Sequence, residues 1–149
     1  MSNSYRIEIS GLNNLNDFVD KWAPLYSYKN EYKYEQFIAT ALDDKNSFIE
    51  MFKWKNGTGD VIYKPKMKSV LGYWDKIETL RSLKGSFSWE VFEKEFEPHK
   101  SSTIWRLFLL HLMNPKEFPI FDQHVYRSFV FFNTGKIEEL PSSPKKRYE

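Results

Sequence analysis

Chemistry in this chain is best sought where an apolar run delivers one acid to the start of a helix. The stretch Lys116-Glu117-Phe118-Pro119-Ile120-Phe121-Asp122-Gln123-His124-Val125-Tyr126-Arg127 does so, because apolar residues recurring through Val125, Phe129 and Phe132 predict a helix that Asp122 opens. Pro119 biases its surroundings toward extended backbone, so Pro119-Ile120-Phe121 is expected to run extended into the core. Asp122 can then accept the free N–H groups of the first helical turn, the commonest role of an aspartate in that place. Its charge allows a second role. Burial raises a carboxyl's pKa, whereas a helix terminus and hydrogen bonds lower it. An aspartate that stays ionised beside Phe118 and Phe121 stabilises a developing positive charge far better than one in water.

A second cluster, Phe52-Lys53-Trp54-Lys55-Asn56-Gly57, alternates rings with cations. Trp54 could stack a flipped base while Lys53 and Lys55 grip a phosphate backbone. The same pattern at the end of an amphipathic helix is also ordinary packing, Phe52 inward and lysines outward. The three histidines, His99, His111 and His124, lie on separate predicted elements without metal-ligand spacing, so neither a metal nor any other cofactor is expected. His111, inside an apolar stretch, reads as a core histidine with a satisfied hydrogen bond.

The elements that must position these groups belong to a chain of 149 residues, long enough for a single domain with a sizeable core. Its lack of cysteine excludes disulfides, thiolate nucleophiles and Cys-ligated metals, and a reducing, cytoplasmic setting is expected. Met1-Ser2-Asn3-Ser4 and the residues after it offer neither a cationic start nor an apolar leader core, and no run is long enough for a membrane span. Net charge is only +2, but between Lys53 and Lys68 five lysines face one acid, Asp60, a balance permissive for nucleic acid.

Periodicity predicts a mainly α protein, a single compact multi-helix domain over residues 1–149, with residues 136–149 an exposed or incomplete C-terminal tail. One short N-terminal β-strand, Tyr5 to Ile9, is expected by alternation and could pair with Asp60-Val61-Ile62-Tyr63. Helices are expected from Asn16-Asp17 to near Pro24, over Glu31 to Leu42, from Asn46-Ser47 to the Asn56-Gly57-Thr58-Gly59 turn, and over Met67 to Leu83. Further ones are expected over Trp89 to Phe96 capped by Ser88, over Ile104 to Met113 capped by Ser101-Ser102-Thr103, and from Asp122 to the turn Asn133-Thr134-Gly135. The 104–113 helix is apolar nearly all round and belongs in the middle of the domain.

Ser102-Thr103, the apolar helix, and then Lys116 to Arg127 resemble the second half of the helix-hairpin-helix DNA glycosylase superfamily, over roughly residues 99 to 132. The resemblance implies the glycosylase helical fold and a DNA partner. It implies that Asp122 is the catalytic aspartate, supporting base excision by stabilising an oxocarbenium-like sugar and orienting the nucleophile. His124 would match a phosphate-contacting position and Arg127 the arginine that follows. Ser102 would fall near the site where bifunctional members carry a lysine and monofunctional ones a serine, which implies simple hydrolysis without a Schiff base. The chain departs from the family at the hairpin, where Glu97-Pro98-His99-Lys100-Ser101 lacks the Gly-x-Gly turn whose N–H groups cradle a phosphate. The helix start at Ser101-Ser102-Thr103, with Lys100 alongside, could replace that cradle. A divergent monofunctional N-glycosylase is therefore the leading expectation. A binding module that keeps the scaffold without the chemistry, and a helical protein–protein adaptor, are the alternatives; the oligomeric state is left open.

Overall fold

The computed structural model describes residues 16, 17, 20, 24, 30–57, 61–97 and 103–136. Among them the regular structure is all helical: α1 (Glu31–Phe37) running into a 3-10 turn (Ile38–Thr40), α2 (Lys45–Asn56), α3 (Lys64–Trp74), α4 (Ile77–Gly85), α5 (Trp89–Phe96), α6 (Thr103–Met113) and α7 (Gln123–Thr134). The Tyr5–Ile9 strand and most of the helix expected after Asn16 lie outside the described residues. Its proposed partner forms no ladder, since Val61–Tyr63 has no strand and exposes Val61 and Tyr63.

Local chemistry accounts for several helix ends. Ser88 accepts from the Val91 N–H and opens α5 as expected. The cap of α2 is Asp44 rather than Asn46-Ser47: its Oδ2 accepts both the Ser47 N–H, at 2.7 Å, and the Ser47 hydroxyl, at 2.8 Å. These bonds hold the Asp44 carboxyl below its ordinary pKa. Gly57, at φ 71°, ends α2 in the left-handed conformation that glycine adopts without strain. Gly135 closes α7 in the same way, with φ 69° and its N–H bonded to the Phe131 carbonyl at 2.8 Å.

The single helix expected over Met67 to Leu83 is two helices. The ladder breaks at Asp75-Lys76, where the Lys76 N–H bonds back only to the Tyr73 carbonyl, at 3.1 Å. Lys76 then reaches α5, donating from Nζ to the Glu95 carbonyl at 2.8 Å and its carboxylate at 2.9 Å. That contact is tertiary, so the uninterrupted apolar period does not register the break. Arg81 of α4 ties the turn after α1 into the bundle in a similar way, donating from Nε and Nη2 to the Leu42 carbonyl at 2.9 and 2.6 Å.

α6 is the central helix, with Trp105 and every residue from Leu107 to Met113 buried. Around it pack Phe48 and Phe52 of α2, Tyr73 of α3, Leu80 of α4, and Phe92 and Phe96 of α5, all 0% exposed. Much of the high aromatic content is therefore core, as the helical spacing predicts. α7 departs from its expected pattern: Val130 is buried, but Val125 and Phe129 are 50% and 57% exposed.

Candidate functional site

Between α6 and α7 the chain does not plunge into the core along Pro119-Ile120-Phe121 as expected. Phe118 is the buried residue of the segment, packed against Phe87 at 5.0 Å and Trp89 at 6.3 Å between ring centroids. Pro119 is exposed, and Ile120, Phe121 and Asp122 are half-buried. The ring is drawn inward one residue ahead of the proline because the Phe118 N–H closes the turn onto the Asn114 carbonyl, at 2.9 Å. Asp122 therefore sits at the rim of the helical core, neither sealed within it nor on open surface. Its Oδ1 accepts the Val125 N–H at 2.9 Å, which makes it the cap of α7. That bond satisfies an orphan donor without consuming the charge.

A polar strut holds this segment against the rest of the fold. His111, 3% exposed, sends its Nδ1–H to the Phe118 carbonyl at 2.8 Å. A carbonyl can only accept, so the neutral ring carries its proton on Nδ1 and its Nε2 accepts from the Tyr34 hydroxyl, at 2.9 Å. Burial pushes the His111 pKa below its usual 6.5; the Phe118 bond opposes that, and the charge of Lys55 adds to it. Burial, with the Glu31 carboxylate, raises the Tyr34 hydroxyl. The core-histidine expectation thus holds, and the residue also connects α1 to the segment that carries Asp122.

The depressed pKa fixes the sign of a pH effect. Unfolded His111 takes a proton near 6.5 and folded His111 takes it lower, so its contribution to stability is complete above 6.5. It is lost as pH falls through the folded value. The wild-type unfolding midpoint is expected to drop between about pH 7 and about pH 5 more than that of His111→Asn, whose amide can still donate to Phe118 but takes no proton in that range. Parallel pH profiles for the two proteins would remove the effect from His111.

In the cluster at the end of α2, Phe52 points inward as the packing reading expects, but the neighbouring side chains fit neither sequence reading fully. Trp54 is half-buried, its ring 5.0 Å from Tyr34 and stacked at 6.2 Å on Phe108, so it is packed among rings rather than standing free as a platform. Lys53 is engaged by Glu50 at 2.5 Å. Lys55 does not turn outward. It is half-buried, with Nζ 5.9 Å above the Phe108 ring, and burial lowers its pKa while the charge of Asp122 partly offsets the shift. Sequence reasoning placed Lys55 and Asp122 in separate motifs, and the fold brings them into one electrostatic neighbourhood with His111 and Tyr34. Nothing in the spacing of either motif signals this, because it depends on how α2 crosses α6.

The other nominated residues are placed less fully. Arg127 is half-buried on α7, and His124 belongs to its first turn, with a side chain outside the described residues. Lys100, Ser101 and Ser102 also lie outside them. A cavity of about 370 Å³ opens elsewhere, between the turn after α1, α4 and the end of α6, lined by Leu42, Arg81, Lys84, Leu112 and Met113 among others. None of the nominated residues lines it. Among the described residues no group of three or more His, Asp or Glu side chains could hold a metal ion, and no helix is long and apolar enough to cross a membrane. Compared with protein-family models, with curated proteins and with solved structures, the chain matches none of them.

Proposed function

We propose that this chain is a DNA glycosylase-like protein that releases a base by monofunctional hydrolysis of the N-glycosidic bond. The observation that carries the proposal is the setting of Asp122: an acid at the rim of a helical core, fixed by its bond to the Val125 N–H and delivered by the Phe118 to Phe121 segment. As the bond from the sugar to the base lengthens, positive charge grows on the sugar ring. A fixed carboxylate in a partly desolvated place stabilises that charge at little reorganisation cost. Water then supplies the oxygen that bonds the sugar carbon, and its proton leaves with the base.

The order of elements supports the same reading. α5, α6, the non-helical run ending at Asp122, and α7 follow one another in the order expected from the superfamily that the sequence resembles. Lys55, which feels the charge of Asp122, and the N-terminal end of α7 add positive potential near the acid, the sign a phosphate backbone requires. In the test, the full chain is incubated with duplexes carrying deaminated, alkylated or mismatched bases, and abasic sites are revealed by alkaline strand cleavage. Base release from at least one class is the expected result, and no release from any of them overturns the proposal.

A further inference from the structure

The cavity of about 370 Å³ between the turn after α1, α4 and the end of α6 lies apart from Asp122 and the other nominated residues. Its volume falls within the range of about 300–1,000 Å³ common to small-molecule sites. Ile38, Leu42, Leu112 and Met113 give it an aliphatic lining, the last three as buried members of the core. Arg81 and Lys84, three residues apart, share a face of α4 and also line it, and Asp43 is the acid beside them. The Arg81 guanidinium is already committed. Its Nε and Nη2 donate to the Leu42 carbonyl at 2.9 and 2.6 Å, Nη1 donates to Glu78, and Nη2 stands 3.8 Å from the Asp43 carboxylate. Lys84 is exposed and makes no hydrogen bond or ion pair with any described residue. An aliphatic interior therefore meets one uncommitted positive charge.

We propose that this cavity binds a small aliphatic monocarboxylate, its chain against Leu42, Leu112 and Met113 and its carboxylate at Lys84. The chain buries apolar surface, while the carboxylate stays in water beside an exposed ammonium, so no charge is carried into the core. A flexible alkyl chain suits the lining, which among the described residues includes no aromatic ring on which a flat ligand could stack. A single negative charge is preferred to a phosphate or a dicarboxylate. The Nε and Nη2 edge of Arg81, the fork that would grip a phosphate, already holds the Leu42 carbonyl. A second carboxylate would meet either the apolar lining or the like charge of Asp43. The assignment stands on the cavity alone and holds whether or not the chain releases bases.

In the test, sodium octanoate is titrated into the methyl-labelled full chain and followed by NMR. Saturable shifts of the Leu112 and Met113 methyl groups are expected, with Val125 of α7, exposed and outside the cavity, unmoved. Octanol, the same chain without the charge, is expected to bind about tenfold more weakly, as the loss of one charge-assisted contact predicts. Octanedioate, with a second charge, is also expected to bind more weakly than octanoate. Lys84→Gln, at an exposed position of the last turn of α4, is expected to keep the fold, to lower the octanoate affinity about tenfold and to leave that of octanol unchanged. Absence of saturable shifts at Leu112 and Met113, or equal movement of Val125, overturns the proposal. So does octanol or octanedioate binding as tightly as octanoate, or a Lys84→Gln protein that keeps the wild-type affinity for octanoate.

Discussion

Replacing Asp122 by asparagine is expected to leave the unfolding midpoint close to that of the wild type while cutting base release by about a hundredfold or more. The two effects separate because the residue has two jobs with different physical requirements. Capping needs an oxygen that accepts the Val125 N–H at 2.9 Å, and an asparagine amide offers one in almost the same place. Stabilising a sugar cation needs the charge, and losing one preorganised electrostatic partner costs on the order of 3 kcal/mol in barrier. Asp122→Ala is the complement, because it removes both jobs and should lower stability by about 1 kcal/mol as well. Single-turnover base release and thermal unfolding, measured on the same preparations, decide the matter. If Asp122→Asn releases bases at the wild-type rate, the acid is a cap and nothing more.

How much of this arrangement could be read from sequence depends on whether the deciding contact is local. α5 and the start of α7 were legible because Ser88 and Asp122 bond to N–H groups three residues ahead, and the sequence pattern contains both partners. The central place of α6 was legible because apolar residues surround it on all sides. The start of α2 was displaced by two residues: Asp44 and Asn46 are both good caps, and the choice falls to Asp44 through its paired bonds to Ser47. The break at Asp75-Lys76 escaped because apolar spacing continues through it while Lys76 bonds to Glu95 on another helix. Lys55 is the most instructive failure. Beside Lys53 it looks like one of two solvated cations, yet Lys53 pairs with Glu50 within its own helix and Lys55 turns over a ring of α6. Only the packing of α2 on α6 distinguishes them.

That packing rests on one ring. Phe52, 0% exposed, lies 5.1 Å from Phe48 within α2, 5.9 Å from Tyr73 of α3, and 5.1 and 5.3 Å from Trp105 and Phe108 of α6, the last contact edge-on. Phe52→Ala removes a fully buried aromatic side chain where three helices meet, and the surrounding rings are too rigid to close the void. The expected loss is about 3–5 kcal/mol, set against a total of roughly 5–15 kcal/mol for an ordinary domain. Urea unfolding should show a large fall in midpoint with little change in slope, whereas Phe129→Ala, at a position 57% exposed, should fall within about 0.5 kcal/mol of wild type. A loss below about 1 kcal/mol for Phe52→Ala would contradict this core. The consequence reaches the site, because Phe108 packs at right angles to Phe52 and carries Lys55 over its face. A milder change, Phe52→Leu, should keep the chain folded yet loosen the ring beneath Lys55. Its midpoint is expected to fall by less than that of Phe52→Ala, because leucine refills most of the void.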